Sequence, residues 1–144
     1  MYRIRILSVG KTKEEWLEEA ISEYLKRLQK ITTIEFVWAK DDEHLSQLVG
    51  KEAAKGGIVL CLDPKGQSFT SEKFSTYFLK QLELGGARAA LVIGGADGLP
   101  PELKNEYPLF SLSAMTFTHQ ITRLILIEQI YRAFEIAKGS RYNK

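Results

Sequence analysis

The stretch Val92-Ile93-Gly94-Gly95-Ala96-Asp97-Gly98-Leu99 decides the fold class of this chain. The apolar residues that lead into it are typical of a central parallel strand covered on both faces. The glycines that follow let a backbone approach a ligand closely, and open α/β sheets bind ligands at this end of their strands. The pattern predicts an α/β domain with a ligand site late in the chain, although a plain tight turn explains the loop alone equally well.

Strand and helix patterns alternate on both sides of this stretch, which indicates a mostly parallel sheet. The predicted strands cover residues 3–9, 34–38, 58–62, 89–93 and 110–113, and residues 63–66 are expected to form a turn. Helices are expected to begin at Thr12, at Asp41 or Asp42, at Thr70 or Ser71, and at Pro100. In the first of these, Glu15 would complete a capping box with Thr12.

The usual glycine pattern for a nucleotide is missing from its usual place. A dinucleotide site has G-x-G-x-x-G after the first strand, where this chain has only Val9-Gly10-Lys11-Thr12. The sequence also lacks a P-loop, a G-x-S-x-G elbow and an H-E-x-x-H motif. These absences favour a reaction that needs little covalent help from the protein, such as methyl transfer from an activated cofactor.

Composition and charge set broad limits. The 144 residues, of which 44% are hydrophobic, fit one domain over residues 1–144. A formal net charge of +2 does not by itself indicate nucleic-acid binding. The single cysteine, Cys61, lies in an apolar run, so we expect no disulfide and no metal. Because no signal peptide or membrane-spanning run is present, we expect a cytoplasmic protein without a membrane partner.

The last predicted helix, over residues 120–138, is apolar in nearly every direction around its axis, and Gly139 is expected to end it. A surface helix would show one apolar stripe and one polar face. In so short a chain, a second subunit is the expected cover, so the pattern predicts a homodimer through this helix.

The segment from Leu112 to His119 lies between a predicted strand and the last helix. Its small, hydroxyl and apolar residues suit a loop around an adenine, but an ordinary connection explains them equally well. His119 is a candidate base with an ordinary pKa near 6.5, although a cap or a core hydrogen-bonding role is the commoner use of such a residue. Glu128 and Arg132 are spaced to pair along the helix.

Taken together, four segments resemble the RlmH family of ribosomal RNA large-subunit pseudouridine methyltransferases, which belong to the SPOUT class. They are Ile6–Lys11, Leu62–Gly66, Val92–Leu99 and Leu112–Phe134, in the family's order and at similar spacing. The resemblance implies a SPOUT-type α/β knot, in which a mostly parallel sheet carries a deep C-terminal trefoil knot. It also implies a homodimer that uses S-adenosylmethionine to methylate N3 of a pseudouridine in 23S ribosomal RNA of the assembled ribosome.

The resemblance also implies roles for individual residues. The candidates for RNA contact are Arg123, Arg132, Arg141 and Lys144, and the catalytic candidates are His119, Tyr142 and Asn143. The residues that match the family's cofactor contacts are Leu62, Gly94, Leu112, Ser113, Ala114, Met115, Thr116 and Phe117.

The end of the chain departs from the family pattern. The family tail usually reads Tyr-His and then a basic residue, whereas this chain reads Tyr142-Asn143-Lys144. Asparagine cannot titrate, so it cannot replace a histidine as proton acceptor. The alternatives are therefore a catalytically weakened module that binds cofactor and RNA, a SPOUT methyltransferase with a different RNA target, and an α/β protein for another small ligand.

Overall fold

A computed structural model describes residues 1–143. Five parallel strands form one sheet in the order β2-β1-β4-β3-β5. The strands are β1 (Tyr2–Val9), β2 (Thr32–Ala39), β3 (Ile58–Ser68), β4 (Arg88–Ile93) and β5 (Leu109–Ser111). The predicted α/β class and parallel sheet are confirmed.

Helices cover both faces of the sheet. They are α1 (Glu15–Leu28), α2 (Asp42–Ala54), α3 (Ser71–Leu84), α4 (Pro101–Glu106) and α5 (His119–Lys138). The core side chains of α1, α3 and α5 form one apolar cluster with the sheet, and those of α2 and α4 form the other. Alternate residues of β4 enter the two clusters, with Leu91 in the first and Val92 in the second, as the two-residue period of a strand requires.

The start of α1 differs from the prediction. The helix begins at Glu15 with Glu14 at its N-cap, and no side chain caps it. The Thr12 hydroxyl instead accepts a hydrogen bond from the Arg123 guanidinium at 3.1 Å. The capping-box prediction was wrong, because the helix begins later than predicted; the hydroxyl instead contacts a charged donor from α5, distant in sequence.

Residues 63–66 also differ from the prediction, because they continue β3 instead of forming a turn. Leu62 and Gln67 both pair with Phe110, so the segment between them bulges around β5. A Cβ atom added to Gly66 would lie 2.6 Å from the Phe110 nitrogen, which shows how closely the two backbones approach each other. The family's trefoil knot stays a prediction.

The long helix α5 is covered largely within its own chain. It packs against α1, α3 and the sheet, and these neighbours bury Leu126, Ile127 and Ile130 completely. Leu124 and Tyr131 remain half-buried at the edge of the same cluster. Most of α5 is therefore covered within its own chain, and only its edge is available to a second subunit. The homodimer stays a prediction.

Within residues 1–143, no helix is both long enough and apolar enough to cross a membrane.

Candidate active site

A cavity of about 160 Å³ lies beside the bulge of β3, where β4 and β5 end and α5 begins. Leu62 of β3, Ile93 of β4 and Ser111 of β5 contribute to its wall, together with His119 and Thr122 from the start of α5. This is the carboxyl edge of parallel strands, where backbone groups are free to face a ligand.

The cavity brings together most of the residues that match the family's cofactor contacts. Seven of the eight line it, and Ala114 is the exception. The seven come from three separate parts of the chain: Leu62, Gly94, and the segment that holds Leu112, Ser113, Met115, Thr116 and Phe117. Their contact with a cofactor stays a prediction.

The glycine loop after β4 forms one wall of the cavity. The Gly98 amide donates to the Gly95 carbonyl at 3.0 Å, and Gly98 has a positive φ of 87°. A Cβ atom on Gly94 would lie 2.4 Å from the carbonyl carbon of Gly98, so no larger residue fits without moving the loop. The loop is therefore a tight turn and a cavity wall at once.

Several lining residues were not predicted from the sequence, among them Asp63, Ile93, Ser111 and Thr122. Asp63 is buried, and its carboxylate accepts from the Lys65 amide at 2.8 Å and faces the Lys104 ammonium at 3.4 Å. Thr122 follows His119 by three residues, so the two share one face of α5. That spacing was the available signal for Thr122.

Among residues 1–143, His119 is the one titratable nitrogen base that lines the cavity. Thr118 fills the N-cap position before it, where its hydroxyl accepts from the Ile121 amide at 3.2 Å. Burial lowers the pKa of His119, and the positive charges of Arg123 and Lys13 lower it further. The imidazole is therefore held in the neutral form, which can accept a proton.

Arg123 does not lie where an RNA contact must lie. Its side chain is completely buried, and its guanidinium stacks over the Trp38 ring at 4.5 Å. Burial lowers its pKa to about 10. A side chain without exposed surface cannot reach a phosphate, so Arg123 is removed from the RNA-contact candidates.

Comparison with known proteins identifies the family. A model described as predicted SPOUT methyltransferase matches residues 2–143. The ribosomal RNA large subunit methyltransferase H of Protochlamydia amoebophila is 58% identical over 144 residues, which is 100% of each chain. The chain belongs to the RlmH family of SPOUT methyltransferases. The proteins of the same name from Pelobacter propionicus and Symbiobacterium thermophilum are 35% and 38% identical, each covering at least 98% of both chains.

A solved structure supports the fold independently. A probable methylase family protein from Haemophilus influenzae superposes with a TM-score of 0.62 over 98% of this chain and 70% of its own. Its sequence is only 12% identical, so the likeness concerns the fold alone.

The RlmH-type tail lies away from the cavity. The Tyr142 hydroxyl donates to the Glu128 carboxylate at 2.8 Å, and the Asn143 amide donates to Glu72 at 3.0 Å. Arg132 bridges the two, since it pairs with Glu128 at 2.7 Å and donates to the Asn143 oxygen at 3.1 Å. Burial, with hydrogen bonds to Tyr24 and Glu128, raises the pKa of Tyr142.

The catalytic candidates thus form two groups within one chain. His119 lies in the cavity wall at the start of α5, and Tyr142 contacts Glu128, nine residues further along that helix. At 1.5 Å per residue this separation is about 14 Å along the axis. Of the other RNA candidates, Arg141 is exposed, Arg132 is held by the tail, and Lys144 lies outside the described residues.

The cavity lining combines apolar and polar groups. Leu62, Leu99 and Phe117 offer apolar surface, while Ser113 and Thr116 offer hydroxyl groups. A neutral aromatic base with polar edges matches such a surface. Within residues 1–143, no three side chains of His, Cys, Asp or Glu gather as metal ligands.

Proposed function

We propose that this chain methylates N3 of a pseudouridine in 23S ribosomal RNA of the assembled ribosome, with S-adenosylmethionine as donor. The observation that carries the proposal is the single cavity that gathers seven of the eight expected cofactor residues. The full-length similarity to proteins named ribosomal RNA large subunit methyltransferase H supports the RNA target. Acting on ribosomes, the protein would work in the cytoplasm.

The residues of the cavity have distinct roles in this proposal. Leu62, Leu112 and Phe117 would hold the adenosine by apolar contact, and the backbone around Gly94 would donate to its polar edges. When bound, S-adenosylmethionine supplies a methyl group activated by its sulfonium centre. The protein then has to align the acceptor and to receive one proton.

One proton must leave N3 of the pseudouridine when the N–CH3 bond forms. The imidazole of His119 is one acceptor in this proposal, because it lies in the cavity wall and a neutral ring has a nitrogen lone pair; the burial and positive charge that lower its pKa also make it a weaker base. A tail group or water are the other acceptors in this proposal. Asn143 is not among them, since an amide has no basic nitrogen.

A homodimer would bring the two groups of catalytic candidates close together. Within one chain the tail binds α5 and α3 away from the cavity. Leu124 and Tyr131 leave an apolar edge on α5, and Trp16 of the adjacent α1 is 54% exposed. Pairing of this surface in two subunits would place RNA in the cleft between them, with Arg132 and Arg141 as contacts.

Transfer of a tritiated methyl group to ribosomes tests the function directly. Ribosomes from a strain that lacks the modification should take up label in the pseudouridine of 23S RNA, and pre-methylated ribosomes should not. Label in another nucleotide would support a different RNA target. Absence of any label would contradict the proposal.

The second candidate function is a module that binds cofactor and RNA with weakened catalysis. Asn143 favours it, because the residue occupies the family's histidine position and is engaged with Arg132 and Glu72. This alternative predicts that calorimetry detects cofactor binding without turnover, and that Asn143→His increases the rate. A normal rate in the unmodified protein would eliminate it.

A further inference from the structure

Arg123 is the largest side chain that the structure buries completely within residues 1–143. A buried guanidinium needs partners for all its donors, because each unpaired one costs free energy. All three of its nitrogens donate. The Nη2 atom donates to the carbonyls of Val9 at 2.8 Å and Gly10 at 2.7 Å, and Nε donates to the Ser8 hydroxyl at 3.1 Å.

The charge of this side chain has no carboxylate partner. Among residues 1–143, no ion pair includes Arg123, and its acceptors are all neutral oxygens. Burial of an unpaired charge is costly, and a neutral side chain would fill the same core without that cost. What the arginine adds is a rigid, planar set of donors that can hold several backbone and side-chain groups in one arrangement.

The groups that Arg123 holds reach two walls of the cavity. On one side, Arg123 donates to Gln120 in the first turn of α5, and the Gln120 amide donates to the Lys11 carbonyl at 3.1 Å. His119 and Thr122 of the same turn line the cavity.

The other wall is reached through the end of β1. Arg123 fixes the carbonyl of Val9, and the Val9 side chain lies against the glycine loop. A Cβ atom built on Gly95 would stand 3.5 Å from the Val9 Cβ atom. Residues 8–12 thus contact both the first turn of α5 and the glycine loop, and both of these elements line the cavity.

We infer that Arg123 is a positioning residue for the cofactor cavity, which holds the first turn of α5 and the glycine loop at their separation. This inference rests on the proposed function, because the cavity is taken as the cofactor site. Lysine keeps the charge but offers one ammonium in place of the planar fork. Arg123→Lys therefore removes the clamp without removing the positive charge.

The test is calorimetric binding of S-adenosylhomocysteine, the demethylated product, at a temperature where every variant is fully folded by circular dichroism. Arg123→Lys should weaken binding by about tenfold, as loss of a supporting contact does. The milder Gln120→Ala variant removes the hydrogen bond to the Lys11 carbonyl and should also weaken binding. It replaces Arg123→Lys in the test if that variant does not fold. In methyl transfer, KM for the cofactor should rise more than kcat falls.

The matched control is Leu82→Ala, which removes a fully buried side chain from α3 outside the cavity lining. It should lower the melting temperature but leave the affinity of the folded protein unchanged. If Arg123→Lys and Gln120→Ala both keep wild-type affinity while melting earlier, Arg123 is only structural and the inference is overturned. If the wild-type protein binds no product at all, the proposed function fails instead.

Discussion

At the scale of single residues, His119 has a property that can be measured directly. Its pKa is lowered, first by burial and then by the charges of Arg123 and Lys13. We predict that NMR titration of His119 gives a pKa below 6.5, and that Arg123→Met raises that pKa toward 6.5. A His119 pKa above 6.5 would contradict this account.

The same shift makes stability depend on pH with a definite sign. The unfolded chain binds a proton at His119 more readily than the folded chain, because the folded pKa lies below the ordinary value of 6.5. The free energy of unfolding should therefore decrease as the pH falls below 6.5, and less steeply in His119→Gln. Denaturant unfolding at several pH values measures both slopes.

Gly94 provides a second prediction at this scale, with a matched control in the same chain. In Gly94→Ala the added methyl group would collide with the Gly98 carbonyl carbon, so the loop must move. We expect a loss of about 1–3 kcal/mol in the free energy of unfolding and weaker cofactor binding. Gly50 lies in α2 with open space around it, so Gly50→Ala should stabilise the protein by about 0.5–1 kcal/mol.

At the scale of elements, the N-caps of α5 and α2 should contribute equally to stability but differ in their effect on cofactor binding. Thr118 caps α5 beside the cavity, and Asp41 caps α2 on the opposite face of the sheet by accepting from the His44 amide at 2.8 Å. Alanine at either position should cost about 1 kcal/mol of unfolding free energy. Only Thr118→Ala should also weaken cofactor binding, because its cap holds the turn that lines the cavity. Equal affinities in the two variants would refute this.

The elements themselves were largely predictable from local patterns. Thr70 caps α3 through the Lys73 amide, and Gly139 ends α5 with a positive φ of 75°, as the sequence predicts. The predictions were wrong where a residue distant in sequence contacts the segment. The Thr12 hydroxyl accepts a hydrogen bond from Arg123 of α5, and residues 63–66 form the bulge of β3 beside Phe110 of β5.

At the scale of the whole molecule, bound product should stabilise the fold. A ligand that binds only the folded state at 100 times its dissociation constant adds about 2.7 kcal/mol. We expect S-adenosylhomocysteine to raise the melting temperature of the wild-type protein, and Gly94→Ala to lose most of that increase at the same concentration. Equal increases would show that the glycine loop does not contact the ligand.

The proposed homodimer is a further prediction at this scale. Light scattering should give twice the chain mass of 16.3 kDa. Trp16 in α1 and Leu84 in α3 are both exposed large hydrophobic residues, and the proposed dimer surface includes Trp16 but not Leu84. Trp16→Glu should therefore lower the measured mass toward one chain and reduce methyl transfer, whereas Leu84→Glu should change neither. A wild-type mass of one chain would exclude the dimer.

The sequence by itself determined the fold class, the order of elements and the family. These follow from local periodicity, caps and motifs, which depend on residues close together in the chain. Even so, it could not distinguish a buried arginine from a surface one: Arg123 resembled an RNA contact because its acceptors in residues 8–12 lie more than 110 positions away.

Only the tertiary structure decided which of the motif residues meet. It brought Leu62, Gly94 and Phe117 to one cavity and left Tyr142 and Asn143 on the far half of α5. The physical reason is that parallel strands from separate parts of the chain bring their residues together at one edge of the sheet. The tail instead binds where Glu72, Glu128 and Arg132 satisfy its polar groups.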